Sequence, residues 1–338
     1  MIGFGLKVTG AVGALAAFFV LFMTFGVPPV ETKQTGLRGT GMEQIAYPAA
    51  LARLRAANAV PEAQPATERS GEKASAVYEN VKVLGDLDSN EFIRFMTAIT
   101  EWVAPEAGCS YCHEDGNLAS DKPYQKIVAR RMIQMTIDIN TKWKAHVAET
   151  GVTCYTCHRG NPVPSYVWYK PEPDSRMATN AGGRAGGQNR ANASVGLTSL
   201  PGDPFSSYLL GSTPIRVQPT AALPRGQGAS IQATEATYGF MMHMSDALGV
   251  NCTNCHNTQA LKDWQQAGTT RSVAWHGIRM AREINTTYIE PLTPQFPPER
   301  VGPTGDAAKV NCATCHQGAN KPLLGQNMVR DYLASLRP

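Results

Sequence analysis

Apolar residues form one unbroken run near the N-terminus and several helical stripes further along. Val8 to Val27 (VTGAVGALAAFFVLFMTFGV) carries no charge over 20 residues, with Lys7 before it and Pro28, Pro29 and Glu31 after it. As a helix this run would rise about 30 Å, the thickness of a bilayer's hydrocarbon core. A secretory signal has a shorter apolar middle and a small-residue cleavage site, whereas Gly-Val-Pro-Pro follows Phe25 here. A retained single-pass anchor is therefore expected within residues 1–30, and Lys7 sets its N-terminus on the cytoplasmic side. Helical periodicity with few breakers predicts helices at 72–84, 89–103, 123–147, 233–248 and 269–290. Strand alternation is poor throughout, so the fold class is mainly α with extensive coil.

The helical stripes repeat. Ile133-Gln-Met135-Thr-Ile-Asp-Ile139-Asn140-Thr141-Lys-Trp143 aligns without a gap with Ile278-Arg-Met280-Ala-Arg-Glu-Ile284-Asn285-Thr286-Thr-Tyr288. Phe95-Met96-Thr-Ala-Ile-Thr100-Glu101 aligns likewise with Phe240-Met241-Met-His-Met-Ser245-Asp246. Self-similarity of this kind marks a duplicated structural unit, here 71–160 and 231–338. The intervening residues 161–230 contain nine Pro and nine Gly in 70 positions, near the level at which a packed core becomes improbable. They read as a Pro/Gly-rich connector. Residues 31–70 read as an irregular N-terminal segment.

The chain has 338 residues, 43% hydrophobic and 17% charged, which is enough to bury a core and excludes wholesale disorder. A net charge of +4, from 31 basic against 27 acidic side chains, is no nucleic-acid footprint. Eight cysteines would suggest disulfides, but their neighbours decide otherwise. All eight fall in Cys109-Ser-Tyr-Cys112-His113, Cys154-Tyr-Thr-Cys157-His158, Cys252-Thr-Asn-Cys255-His256 and Cys312-Ala-Thr-Cys315-His316. C-x-x-C-H is the attachment site of a c-type haem: two thiols add to the vinyl groups and the adjacent histidine ligates the iron. Redox pairs or zinc ribbons need no histidine after every second cysteine. The expectation is four covalent haems c on a duplicated two-haem unit with pseudo-twofold symmetry. Covalent haem attachment and the anchor's orientation both put this unit in the periplasm.

Each iron keeps one further axial position, and its occupant separates electron transfer from catalysis. Four bis-histidine haems need eight histidines, and the chain has seven. Methionine is the usual alternative and raises the reduction potential. Met96 and Met241 occupy matching positions of the repeat, each on a predicted helix just upstream of its motif; they are expected to complete the first and third sites. Met244, on the same helix face as Met241, competes with it. For the second site Met132 and Met135 share a face. Met135 has the counterpart Met280, whereas Met132 aligns with Gly277. Met132 is assigned to the second site, which leaves the fourth without a local ligand. His146, with no equivalent in the other half, is assigned there, with His276 as its rival.

These motifs, the paired arrangement, Met96, Met132, Met241 and His146, and the strings Gly249-Val-Asn-Cys-Thr-Asn-Cys-His256 and Thr32-Lys-Gln-Thr-Gly-Leu-Arg-Gly39 resemble the tetrahaem cytochrome subunit of purple-bacterial photosynthetic reaction centres. The resemblance covers nearly everything after residue 30. It implies a row of haems in the order first, second, fourth, third, with the third nearest the photo-oxidised bacteriochlorophyll pair. It also implies the reaction-centre L and M subunits as partners, and a soluble cytochrome c or high-potential iron-sulfur protein as donor. His/Met ligation of the first three haems and bis-His ligation of the fourth agree with the assignments above. Some members are tethered through an acylated N-terminal cysteine; no cysteine precedes Cys109, so the apolar segment is expected to serve instead. The expected role is an electron carrier and not an enzyme, since the haems carry the electrons and no substrate bond is made or broken. The rivals are a membrane-anchored multihaem quinol dehydrogenase, which the histidine shortage disfavours, and a multihaem reductase with an open catalytic iron.

Overall fold

The computed structural model describes residues 3–24, 30–36, 41–172, 191–192, 196–198, 200–217 and 230–337. It is mainly helical with long coil stretches, as expected. α1 (Phe4–Thr24) is followed by a hairpin of β1 (Glu31–Thr35) and β2 (Met42–Ala46), then α2 (Pro48–Ala57). Within 71–160, expected as the first unit, lie α3 (Ala74–Val77), α4 (Ser89–Val103), α5 (Tyr124–Lys142), α6 (Lys144–Val147) and α7 (Cys154–His158). Within 231–338, expected as the second, lie α8 (Ile231–Leu248), α9 (Thr269–Glu283), α10 (Cys312–His316) and α11 (Leu333–Leu336).

α4 begins where the Asp88 carboxylate accepts the Asn90 N–H at 3.0 Å, which satisfies a donor that the first helical turn leaves free. Phe95, Ala98 and Trp102, spaced along one face, are buried against Tyr332 and Leu336. The Trp102 ring meets Tyr332 edge-on at 4.9 Å, a favoured geometry for two aromatic quadrupoles. A second cluster joins Ile139 and Val152 to Met280, Ile284 and Val310, and so ties the two units together. A third gathers Trp168, Phe205, Tyr208 and Leu209 around Phe240 and Ile278. Trp168, Phe205, Tyr208 and Leu209 belong to the connector, so its described part contributes core that its Pro/Gly content does not announce. The rest of 161–230 lies outside the described residues.

Two expected helices are interrupted. The helix predicted over 72–84 shrinks to α3, because Tyr78 turns extended (φ −113°, ψ 143°) straight after Val77, and Asn80 (φ 59°) and Leu84 (φ 61°) beyond it are left-handed. The helix predicted over 123–147 breaks at Trp143, between α5 and α6. Residues 31–70 are not irregular throughout, either. Pro48 opens α2 at the position where a missing N–H costs least. The segment runs as a strap. Thr35 donates to Asn251 Oδ1 at 2.7 Å, the Tyr155 hydroxyl donates to Ala59 O at 3.0 Å, and the Gln64 N–H donates to the Tyr332 hydroxyl at 2.9 Å.

Among the described residues no helix is long and apolar enough to cross a membrane. α1 stops at Thr24, and the end of the span expected over Val8–Val27 lies outside the described residues. The span therefore is not met as expected. What α1 presents is apolar exposure on all sides: Phe18, Phe19, Val20 and Phe22 are each more than 60% exposed, and successive helical residues point about 100° apart.

Two buried asparagines hold the chain in front of the second and fourth motifs. Asn140 donates to Val152 O at 2.9 Å and accepts the Val152 N–H at 2.7 Å. Asn285 donates to Val310 O and accepts the Val310 N–H, both at 2.9 Å. Each amide thus satisfies both backbone groups of the residue two positions before the first motif cysteine. Replacing either asparagine by alanine strands a buried donor and a buried acceptor, and should cost about 1–3 kcal/mol per stranded group. Urea unfolding of the holoprotein followed by haem absorbance should show the midpoint falling in Asn140→Ala and in Asn285→Ala. An unchanged midpoint would contradict the bridging role.

Candidate functional site

The second and fourth motifs are each wound into one short helix, α7 and α10. Thr153 and Asn311 cap them, in capping boxes closed by the hydroxyls of Thr156 and Thr314. Arg159 (φ 51°) and Gln317 (φ 47°) end them in the left-handed region. The next residues are tied down in parallel fashion: Gly160 N–H donates to Trp102 O at 2.9 Å, and Gly318 N–H to Ala247 O at 2.8 Å. The first and third motifs ride on tighter 3₁₀ turns, Gly108–Tyr111 and Cys252–Asn254. In every copy the second cysteine lies three residues after the first and the histidine four after it, which puts all three side chains on one side of a helical turn.

The histidines share a further feature. Nδ1 of His113 lies 3.0 Å from Leu118 O, that of His158 2.8 Å from Asn161 O, that of His256 3.2 Å from Leu261 O, and that of His316 3.0 Å from Ala319 O. A carbonyl can only accept, so each Nδ1 carries the proton and each Nε2 keeps its lone pair for a metal. His146 does the same, with Nδ1 2.9 Å from Val273 O. Burial pushes His316 down to about 4, and lowers His146, His158 and His256 from the ordinary imidazole range, so these rings are neutral at neutral pH. Burial also pushes the Cys154 and Cys312 thiols up to about 12 and Cys112 up to about 11.

Two cavities test whether the motifs fit a bound macrocycle. One of about 350 Å³ is bordered by Cys312, Cys315 and His316 and by His146, Ala274 and Gly277. The His146 and His316 ring centroids are 6.1 Å apart. Two imidazole nitrogens each about 2 Å from one metal would put their ring centroids about 6 Å apart, so the pair fits a shared iron. The other cavity, of about 170 Å³, is bordered by Cys154, Cys157 and His158 and by Met132 and Met135. Both have largely apolar walls, as a planar hydrophobic group requires. Among the described residues no three His, Cys, Asp or Glu side chains converge as a metal-ion site.

The remaining expected ligands divide clearly. Met96 is half-buried on α4, which packs on the turn carrying Cys109 and Cys112. Met241 is half-buried on α8 and packs against the cluster that includes Phe240. Its competitor Met244 is buried in that cluster and borders the cavity of the fourth motif. His276 turns onto Trp275, with ring centroids 4.9 Å apart, and does not border the cavity that His146 enters. His243 is buried edge-on to Phe205 at 4.6 Å, its Nε2 has no partner, and burial pushes it down to about 4.

The motifs meet in a fixed succession. Tyr111 and Cys112 of the first border the cavity of the second. Cys157 of the second and Cys315 of the fourth bring their sulfurs within 2.9 Å. Asn254 and Cys255, of the third, border the cavity of the fourth. Contacts therefore run first, second, fourth, third. At the middle junction stands Arg159, which donates to Asn58 Oδ1 at 3.1 Å and fixes α2 beside both motifs. Sequence reading missed Arg159, Gly277 as a contact, and the amide bridges. Asn140 and Asn285 were visible as a repeated pair, but nothing in a sequence says that a repeated asparagine is buried.

A family model described as "Photosynthetic reaction centre cytochrome C subunit" matches residues 26–335. The chain is 55% identical over 306 residues to the photosynthetic reaction center cytochrome c subunit of Rubrivivax gelatinosus, covering 90% of this chain and 83% of that one. It is 49% identical over 305 residues to that of Thermochromatium tepidum, covering 90% and 75%. It is 40% identical over 345 residues to that of Roseobacter denitrificans, covering 96% and 90%. The four C-x-x-C-H turns and a match over nearly the whole chain lead to one assignment: this protein belongs to the photosynthetic reaction centre cytochrome c subunit family.

Proposed function

We propose that this chain carries four covalent haems c and passes electrons from a soluble periplasmic carrier to the photo-oxidised bacteriochlorophyll pair of a photosynthetic reaction centre. The observation that carries this reading is the succession of motif contacts, first, second, fourth, third, which makes one continuous row. Haem iron supplies the one-electron couple at each position. The chain's own task is to hold each macrocycle through two cysteines, to set its potential through the axial pair, and to keep water out with apolar walls. The L and M subunits are the partners at the third-motif end. A soluble cytochrome c or high-potential iron-sulfur protein is the donor. The apolar, all-round exposed α1 attaches the subunit to the photosynthetic membrane, with the haem unit in the periplasm.

His113, His158, His256 and His316 are the proximal ligands, and Met96, Met132 and Met241 complete the first three sites. His146 completes the fourth, supported by its 6.1 Å approach to His316 and its carbonyl-held Nδ1. The repeated asparagine bridges and the matching caps of α7 and α10 support a duplicated two-haem unit with pseudo-twofold symmetry.

A flash given to intact membranes tests the role. Haem oxidation should follow oxidation of the bacteriochlorophyll pair, and its absence in intact complexes would contradict the conduit. His/Met ligation gives a higher potential than bis-His. Met132→His should accordingly lower the midpoint potential of one haem in a redox titration and leave the other three in place. If all four stay unchanged, Met132 is not the axial ligand of the second site.

A further inference from the structure

We propose that Gly277 decides which residue completes the fourth site: its missing side chain seats the His146 ring against the bare backbone of α9 and withholds the methionine that α5 supplies at the same place. This rests on the reading that His146 and His316 share one iron.

α5 and α9 are equivalent helices. Ile133 matches Ile278, and Asn140 and Asn285 make the same two bonds to the residue two before their motifs. In that register Met132 falls on Gly277. Met132 borders the second cavity with His158; Gly277 borders the larger cavity with His316. The two helices thus present the same position to equivalent sites, one with a thioether and one with nothing.

That absence is filled. A Cβ built on Gly277 would stand 2.5 Å from His146 Cε1, 2.8 Å from Nδ1 and 3.0 Å from Nε2, closer than carbon tolerates. Three ring atoms at such distances mean that the imidazole lies over the residue itself. Its Nδ1 is held by Val273 O, one helical turn earlier on the same helix. The ring therefore spans the groove between Val273 and Gly277, gripped at one edge and packed on glycine at the other. A glycine inside a helix is otherwise unfavourable, because the unfolded chain gains freedom from it. Here it removes the atom that would evict the ligand. α6 carries His146 to this place because the chain breaks at Trp143, a break with no counterpart in the second unit, where α9 runs on into the wide turn Ile284–Ile289. Gly277 acts through His146 and is a positioning residue.

The test uses the full-length holoprotein, with near-infrared magnetic circular dichroism of the oxidised haems and a redox titration as readouts. His146→Ala should abolish the bis-imidazole signal of one haem; if that signal persists, the reading beneath the proposal fails. Gly277→Ala should abolish the same signal although both histidines are still present. If the signal survives in Gly277→Ala but not in His146→Ala, the role of Gly277 is overturned and the ligation stands. The double variant His146→Ala with Gly277→Met removes the clashing ring and supplies the sulfur. It should gain a fourth thioether-to-iron band and raise the potential of that haem. A high-spin, five-coordinate haem in the double variant would overturn position 277 as a ligand seat. Should Gly277→Ala yield no holoprotein, the double variant decides alone.

Discussion

The bond from each histidine Nδ1 to a backbone carbonyl is the interaction on which the rest depends. It fixes the tautomer, aims Nε2, and does so with main-chain atoms of the same turn, three or five residues further on. The ring is then as rigid as the turn that carries it. Around the second and fourth motifs the structure also stiffens the turn itself: capping boxes at the starts, left-handed residues at the ends, and asparagine amides that pin the approaching strand of chain. Ligand geometry sets a haem's electronics, so a chain that makes no bonds of its own still needs this rigidity.

Packing follows from the same constraint. The apolar residues divide into three clusters, and Cys154 lies within one while Cys312 packs against another. The second and fourth motifs are thus anchored in apolar clusters, whereas Cys109 and Cys252 of the first and third are exposed. Lys309 illustrates the cost: it is fully buried three residues before Cys312, and it is tolerated because Asp306, Glu290 at 2.9 Å and Ala307 O at 2.8 Å surround its ammonium. The strap of residues 31–64 crosses the third motif, then the junction of the second and fourth, then α4, the helix that packs on the first motif's turn, and so follows the row from end to end.

The haem motifs, the repeat and the helices α4, α5, α8 and α9 could all be read in the sequence, because each depends on local spacing. His146 was legible as a candidate for the fourth site, since seven histidines cannot fill eight positions and Gly277 left a vacancy in the repeat, but the sequence kept His276 beside it. The strap was not legible. Its contacts are single hydrogen bonds such as Thr35 to Asn251, 216 residues apart, and no periodicity encodes them. The connector misled for a related reason. Its Pro and Gly content describes the average of the segment, while Phe205, Tyr208 and Leu209 are three apolar residues that find the core. The breaks at Tyr78 and Trp143 fall where local helical propensity alone would let the helix run on.

The central claim is that one haem is held by two histidines and three by histidine and methionine. Near-infrared magnetic circular dichroism of the unaltered, fully oxidised holoprotein measures this directly, because thioether and imidazole ligands give distinct charge-transfer bands. The account predicts bands in the ratio of three histidine–methionine haems to one bis-histidine haem. Two or more bis-histidine haems, or none, would contradict it.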